Sequence, residues 1–139
     1  MLFPRDSISL ALAMTSGLYE RLTTSIFRTL IKPKSTVVDM GAGFGYYTVL
    51  AAKLVGDGGR VYAFEPEPIR YKFLKRNLKI NALTNVIAIN KAVSDKSGRA
   101  SFFVRGEMSS LSPLQAYERQ ITIETVNLDD YFETDIKID

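Results

Sequence analysis

Thr36-Val-Val-Asp-Met-Gly-Ala-Gly-Phe-Gly-Tyr-Tyr-Thr-Val-Leu-Ala-Ala-Lys53 decides the fold: a short β-branched run, an acid, glycines at 41, 43 and 45, then an apolar helical run. That order predicts strand, tight turn and helix. The glycines leave the backbone bare where the strand hands over to the helix, so a ligand can approach main-chain N–H groups at the helix's positive end. A second strand-like run, Gly59-Arg-Val-Tyr-Ala-Phe-Glu65, follows and ends in an acid. Glu65 lies about 20 residues past the last glycine, the spacing at which an acid reaches ribose hydroxyls. The pattern predicts a nucleotide-like ligand.

The dinucleotide pattern G-x-G-x-x-G needs a third glycine where position 46 carries Tyr. Asp39 would also set negative charge beside a pyrophosphate. The same acid suits a cofactor with an ammonium and a sulfonium, to which Tyr46 or Tyr47 offers a cation–π face. These residues fit S-adenosylmethionine better than NAD.

Val38-Asp-Met-Gly-Ala-Gly-Phe-Gly-Tyr-Tyr-Thr48 resembles the first motif of class I methyltransferases of the FkbM-like family. Further matching segments follow in the same order: Ala63-Phe-Glu-Pro-Glu-Pro68, Asn77-Leu-Lys-Ile-Asn81, Asn90-Lys-Ala-Val-Ser-Asp95, Ser109-Ser-Leu111, Asn127-Leu-Asp-Asp-Tyr131 and Ile136-Lys-Ile-Asp139. The resemblance implies that Asp39 and the backbone of Gly41, Ala42, Gly43 and Gly45 hold the methionine part of S-adenosylmethionine. Tyr46 and Tyr47 stand where they stack on the cofactor or, as helix-start aromatics more often do, pack on neighbouring strands. The resemblance implies too that Glu65 accepts both ribose hydroxyls and that Pro66 and the backbone from Lys91 through Ala92 to Val93 flank the adenine. It also implies methylation of an oxygen on a small molecule or sugar.

With 139 residues, 46% apolar and 24% charged, the chain reads as one globular domain. It has no cysteine and no histidine. Disulfides, thiolate metal sites, a cysteine nucleophile and an imidazole base are therefore excluded, and no metal site is expected. Methyl transfer from a sulfonium needs chiefly proximity and orientation of the acceptor, with a base only for an unactivated hydroxyl. Asp139 sits where the resemblance would put a base or an acceptor-binding acid.

The net charge of +3 decides little about nucleic acid. The one clustered charge, Lys72, Lys75, Arg76 and Lys79, reads as a solvated helix face rather than a nucleic-acid contact, because no RNA-module motif accompanies it. No apolar run approaches the roughly 18 residues that span a bilayer. Arg5 before the run Ile8 to Met14 mimics a secretory signal, but Asp6 and the interleaved serines argue against one, so a cytoplasmic protein is expected.

Residues 1–35 read as an amino-terminal helical segment and 36–139 as the cofactor-binding domain. Asp6 or Ser7 caps a turn through Met14, and Gly17 breaks it. Apolar positions 18, 22, 26, 27 and 30 predict a helix packed on the sheet. The family resemblance implies that the matching pair Tyr19 and Glu20 contributes to the pocket. A helix from about Tyr46 to Leu54, a strand Arg60 to Glu65, a helix to about Ile80 with stripe Ile69, Phe73, Leu74 and Leu78, and a strand Val86 to Asn90 follow. Two βα crossovers imply parallel strands with ligands at their carboxyl ends. Arg99 to Arg105 and Gln120 to Val126 read as an added antiparallel pair around a polar loop, 106–116. Leu128 to Phe132 is a short turn or helix before a final strand, Asp135 to Asp139.

The expected fold is thus α/β, a Rossmann-like class I methyltransferase sheet cut short after its fourth core strand. An exposed final strand would offer an edge for self-association. Two alternatives stand beside the enzyme: an inactive cofactor-binding or interaction module, and an NAD-dependent oxidoreductase fragment.

Overall fold

The computed structural model describes residues 1–4, 8–17, 19–105, 108–112, 118–132 and 136–139. The glycine loop joins β1 (Thr36–Met40) to α3 (Tyr46–Val55), after α1 (Ile8–Thr15) and α2 (Arg21–Leu30). Then come β2 (Arg60–Phe64), α4 (Pro68–Ile80) and β3 (Val86–Ile89). The three strands form a parallel sheet in the order β1-β2-β3, with Asp39 level with Ala63 and Phe64 level with Ile89.

Strand alternation divides β2 between two cores. Val61 and Ala63 face α3 and α4, where they meet Val49, Ala52, Val55, Leu74 and Leu78. Tyr62 and Phe64 face the other way and stack edge-on with Phe132 and Tyr131, at 4.9 and 5.3 Å between ring centres. A parallel sheet needs cover on both faces, and here the second cover comes from the chain's later half. It consists of α5 (Leu128–Tyr131) and the end of β7.

That later half is a second sheet of order β4-β7-β5-β6, built from β4 (Ala92–Val93), β5 (Gly98–Arg105), β6 (Met108–Ser110) and β7 (Arg119–Val126). The expected antiparallel pair is β5 with β7. β6 pairs with β5 inside the stretch expected to be polar loop. Of that loop, residues 106–107 and 113–116 lie outside those described.

Three expectations change. The α2 apolar positions do not pack on the sheet as a set: Leu22 and Leu30 are 74% and 71% exposed, and only Phe27 joins the core cluster below β1; Leu18 lies outside the described residues, as do the expected caps Asp6 and Ser7. On α4, Leu74 and Leu78 are buried and Phe73 meets Phe44 edge-on at 6.0 Å, while Ile69 is 50% exposed. The final strand is not formed over residues 136–139. Instead Asp139 donates its N–H to the Thr36 carbonyl at 3.0 Å and accepts from the Thr36 N–H through its carboxylate at 3.0 Å. One residue's bonds hold this segment to the β1 edge, too few to make a ladder.

The amino terminus docks on α4 through Asn77, which is fully buried. Its Nδ2 donates to the carbonyls of Phe44 and Leu2 at 2.9 and 3.0 Å, and its Oδ1 accepts from the Leu2 N–H. Among the described residues no helix is long and apolar enough to cross a membrane.

Candidate functional site

Asp39 ends β1's inward alternation just before the glycine loop, and α3 begins at Tyr46, so the carboxylate lies against the helix's first turn. Thr48, fully buried there, donates its hydroxyl to Asp39 Oδ2 at 2.5 Å. Burial pushes the Asp39 carboxyl above its ordinary value of 3.8, against the lowering effect of hydrogen bonds from the Thr48 side chain and backbone. Thr48 was not singled out from sequence, although a threonine in a first helical turn after a strand-end acid is a readable pairing.

Glu65 follows β2 and turns back to the loop. Gly43 donates its N–H to Glu65 Oε2 at 2.7 Å, and Glu67 donates its N–H to Oε1 at 2.9 Å. A carboxylate oxygen has two lone pairs, so each retains a second one for a ligand hydroxyl. Burial raises the Glu65 carboxyl above 4.5, opposed by those two N–H groups and by Arg70.

The N–H groups of Gly41, Ala42, Gly43 and Gly45 are engaged within the chain. Gly41 and Ala42 both donate to the Phe64 carbonyl at 2.9 Å, and Gly45 donates to Ala42 at 2.8 Å. The expectation of main-chain N–H groups open to a ligand is therefore corrected at these positions. A pyrophosphate needs such free donors. With Asp39 and Glu65 on either side, the loop suits a cationic, phosphate-free ligand instead.

Two clefts adjoin at the loop, sharing Gly41 and Arg70. The smaller, about 180 Å³, is bounded by Tyr19, Asp39, Gly43, Tyr46 and Tyr47 among others. The larger, about 550 Å³, is bounded by Glu65, Pro66, Ala92, Val93, Phe102 and Leu111 among others. Tyr19 stacks edge-on against Tyr46 at 5.0 Å, Tyr46 shares a 3.2 Å hydrogen bond with the Thr24 hydroxyl, and the Tyr47 hydroxyl donates to Glu20 at 2.8 Å. The Tyr19 and Glu20 pair thus anchors α2 to the smaller cleft.

The structure gathers Asp39, Gly41, Ala42, Gly43, Tyr46, Glu65, Pro66 and Ala92 along these clefts. Gly45 lies beneath the loop, with the position of a Cβ 2.6 Å from Leu74 Cδ1. Lys91 lines neither cleft: its ammonium pairs with Glu124 at 3.2 Å across the second sheet. Asp139 sits at Thr36, the amino end of β1, whereas the clefts lie at the carboxyl end beyond Asp39, some three strand residues or about 10 Å away. The base or acceptor role expected for Asp139 is corrected on that ground. A separate opening of about 700 Å³ between α2 and the start of β1 holds Asp139 and lacks the glycine loop.

Four residues not singled out from sequence support the site. Glu67, 2% exposed, caps α4 by accepting the Arg70 N–H at 2.8 Å and pairs with Arg119 of β7. Asn90 donates to the carbonyls of Glu65 and Pro66 at 2.7 and 3.1 Å. Thr48 and Arg119 complete the set.

The two raised acids set a pH dependence. A buried acid whose folded value is raised contributes stability that is complete below its unfolded value and is lost as pH rises through the folded one. Asp39→Asn removes that loss and keeps an acceptor for Thr48. Measured by thermal unfolding without ligand, the melting temperature of Asp39→Asn minus that of the parent becomes more positive from about pH 4 toward neutrality. A difference that shrinks with pH contradicts the burial of this charge.

Residues 13–109 match the family model described as the TRM5/TYW2 methyltransferase domain. The chain is 36% identical over 66 residues to the tRNA (adenine(58)-N(1))-methyltransferase catalytic subunit TRM61 of Yarrowia lipolytica, covering 48% of this chain and 17% of that one. It is 49% identical over 53 residues to the tRNA(Phe) (4-demethylwyosine(37)-C(7)) aminocarboxypropyltransferase of Methanocaldococcus jannaschii, covering 38% of this chain and 21% of that one. The chain therefore spans about a fifth of the length of these curated relatives. Among solved structures, a SAM dependent methyltransferase from Aquifex aeolicus superposes with a TM-score of 0.50 at 25% identity, covering 64% of this chain and 48% of that one. The fold is that of the Rossmann-like class I methyltransferases, and the cofactor it implies is S-adenosylmethionine, in agreement with the acids and the satisfied loop. The motif order that resembles the FkbM-like family carries as far as this class; the more particular assignment rests on the matched model, by which the chain belongs to the TRM5/TYW2 methyltransferase domain family.

Proposed function

We propose that this chain forms the cofactor half of an S-adenosylmethionine-dependent methyltransferase whose acceptor is RNA. The observation that carries the cofactor reading is the pair of acids flanking a glycine loop in which the N–H groups of Gly41, Ala42, Gly43 and Gly45 are already engaged. Asp39 faces the ammonium end across the smaller cleft, with Tyr19, Tyr46 and Tyr47 offering aromatic faces to a sulfonium. Glu65 offers its remaining lone pairs to ribose hydroxyls, while Pro66, Ala92 and Val93 form an apolar wall for adenine in the larger cleft. Gly41 and Gly43 leave room for close approach. The cofactor when bound supplies an electrophilic carbon on a sulfonium; the chain's part is to hold and orient it.

The RNA acceptor is supported by the two tRNA-acting relatives and by the matched family, in preference to oxygen methylation of a small molecule or sugar. The test is incubation with tRNA and S-adenosylmethionine labelled either in the methyl group or in the aminocarboxypropyl group. Methyl label in RNA is the expected result. Transfer of the other label alone, the chemistry named for the Methanocaldococcus relative, overturns methyl transfer and keeps the cofactor. Label in neither case overturns the RNA-modifying reading of this chain.

A further inference from the structure

α4 carries five of the chain's 18 lysines and arginines and none of its 15 acids, so the rest of the chain has an excess of two acids. The net positive charge therefore resides on this one helix. Lys72, Lys75, Arg76 and Lys79 stand at i, i+3, i+4 and i+7 and are all exposed, so they share one face.

A helix face meant only for solvent interleaves acids with bases. Here Lys72 opposes Arg76, and Lys75 opposes Lys79, at the i,i+4 spacing where like charges destabilise a helix. None of the four takes part in an ion pair among the described residues, whereas Lys91, Arg119 and Lys137 do. The face is also shaped: it surrounds a hollow of about 430 Å³ with Tyr71 among its walls. Lys75 lies 5.7 Å over the Tyr71 ring and Arg76 lies 5.9 Å from the Phe73 ring, contacts that steady the two side chains. The helix starts at the site, since Arg70 in its first turn lines both clefts.

Building on the RNA reading above, we infer that the exposed face of α4 holds the phosphate backbone of the RNA acceptor. Phosphates relieve the repulsion among the four cations, and the contact is independent of sequence. This departs from the solvated face expected from sequence, and the missing acids and the hollow are the reasons.

The experiment measures binding of a fluorescent tRNA transcript as a function of salt, for the parent chain and for the variant K72S/K75S/R76S/K79S. Each lost phosphate contact lowers the slope of log affinity against log salt by about 0.7–0.9. The expected result is a slope smaller by about 3 and binding weaker by at least about tenfold at 0.1 M salt. S-adenosylhomocysteine titration, expected to be unchanged in the variant, separates a lost surface from a lost fold. Parent-like slope and affinity in the variant overturn the α4 surface and leave the RNA reading standing. A parent chain that binds no tRNA even at low salt overturns both.

Discussion

Replacing Glu65 with alanine weakens binding of S-adenosylhomocysteine about 10- to 100-fold, the equivalent of about 1.5–3 kcal/mol for hydrogen bonds to a charged acceptor. The loss has two sources. One is the contact to ribose hydroxyls proposed above. The other is the release of Gly43, whose N–H now bonds to Glu65 Oε2 and ties the loop to the end of β2. Glu65→Gln separates them, because its single carbonyl oxygen can keep the loop bond but cannot serve both partners as a carboxylate does. Calorimetric titration of the three proteins reads the order parent, then Gln, then Ala. Equal affinity in all three contradicts the role given to Glu65.

Gly45→Ala lowers stability by about 3 kcal/mol, made of about 1–2 kcal/mol for a left-handed backbone and the remainder for overpacking. Gly45 has φ +92°, and an added Cβ would lie 2.6 Å from Leu74 Cδ1, a side chain with no exposed surface to yield into. Gly41, at φ +81°, would place its Cβ within 4 Å of nothing. Gly41→Ala therefore loses only the backbone part, about 1–2 kcal/mol. Denaturant unfolding of the two variants distinguishes a glycine that lets α3 sit on α4 from one that opens the loop to a ligand. Equal losses contradict that division.

The parallel core was legible because β-branched runs alternate with helical spacing and are punctuated by Gly and Pro. Both signals are local, and they located β1, α3, β2, α4 and β3 within about two residues. The site was legible for the same reason: Asp39, the glycines and Glu65 lie at strand ends, where a parallel sheet exposes its carboxyl edge. What escaped depends on distant partners. Glu67 between two prolines resembles a solvated acid, and its burial requires Arg119, 52 residues away. Asn77 reads as one polar residue in a basic helix until the Leu2 backbone reaches it from 75 residues off. The α2 stripe shows the converse limit: spacing announces an apolar face and is silent about what covers it, and Leu22 and Leu30 stand exposed. The strand expected at the end is not formed over residues 136–139 because so short an alternation sets no ladder without a register, and among the described residues there only Asp139 bonds to β1.

With the N–H groups of Gly41, Ala42, Gly43 and Gly45 engaged and two acids beside them, the site suits a cationic nucleoside without a pyrophosphate. Parallel calorimetric titrations of the whole chain with S-adenosylmethionine, S-adenosylhomocysteine and NADH test it most directly. Saturable binding of the first two and none of the third is the expected result. Binding of NADH, or of none of the three, would contradict it.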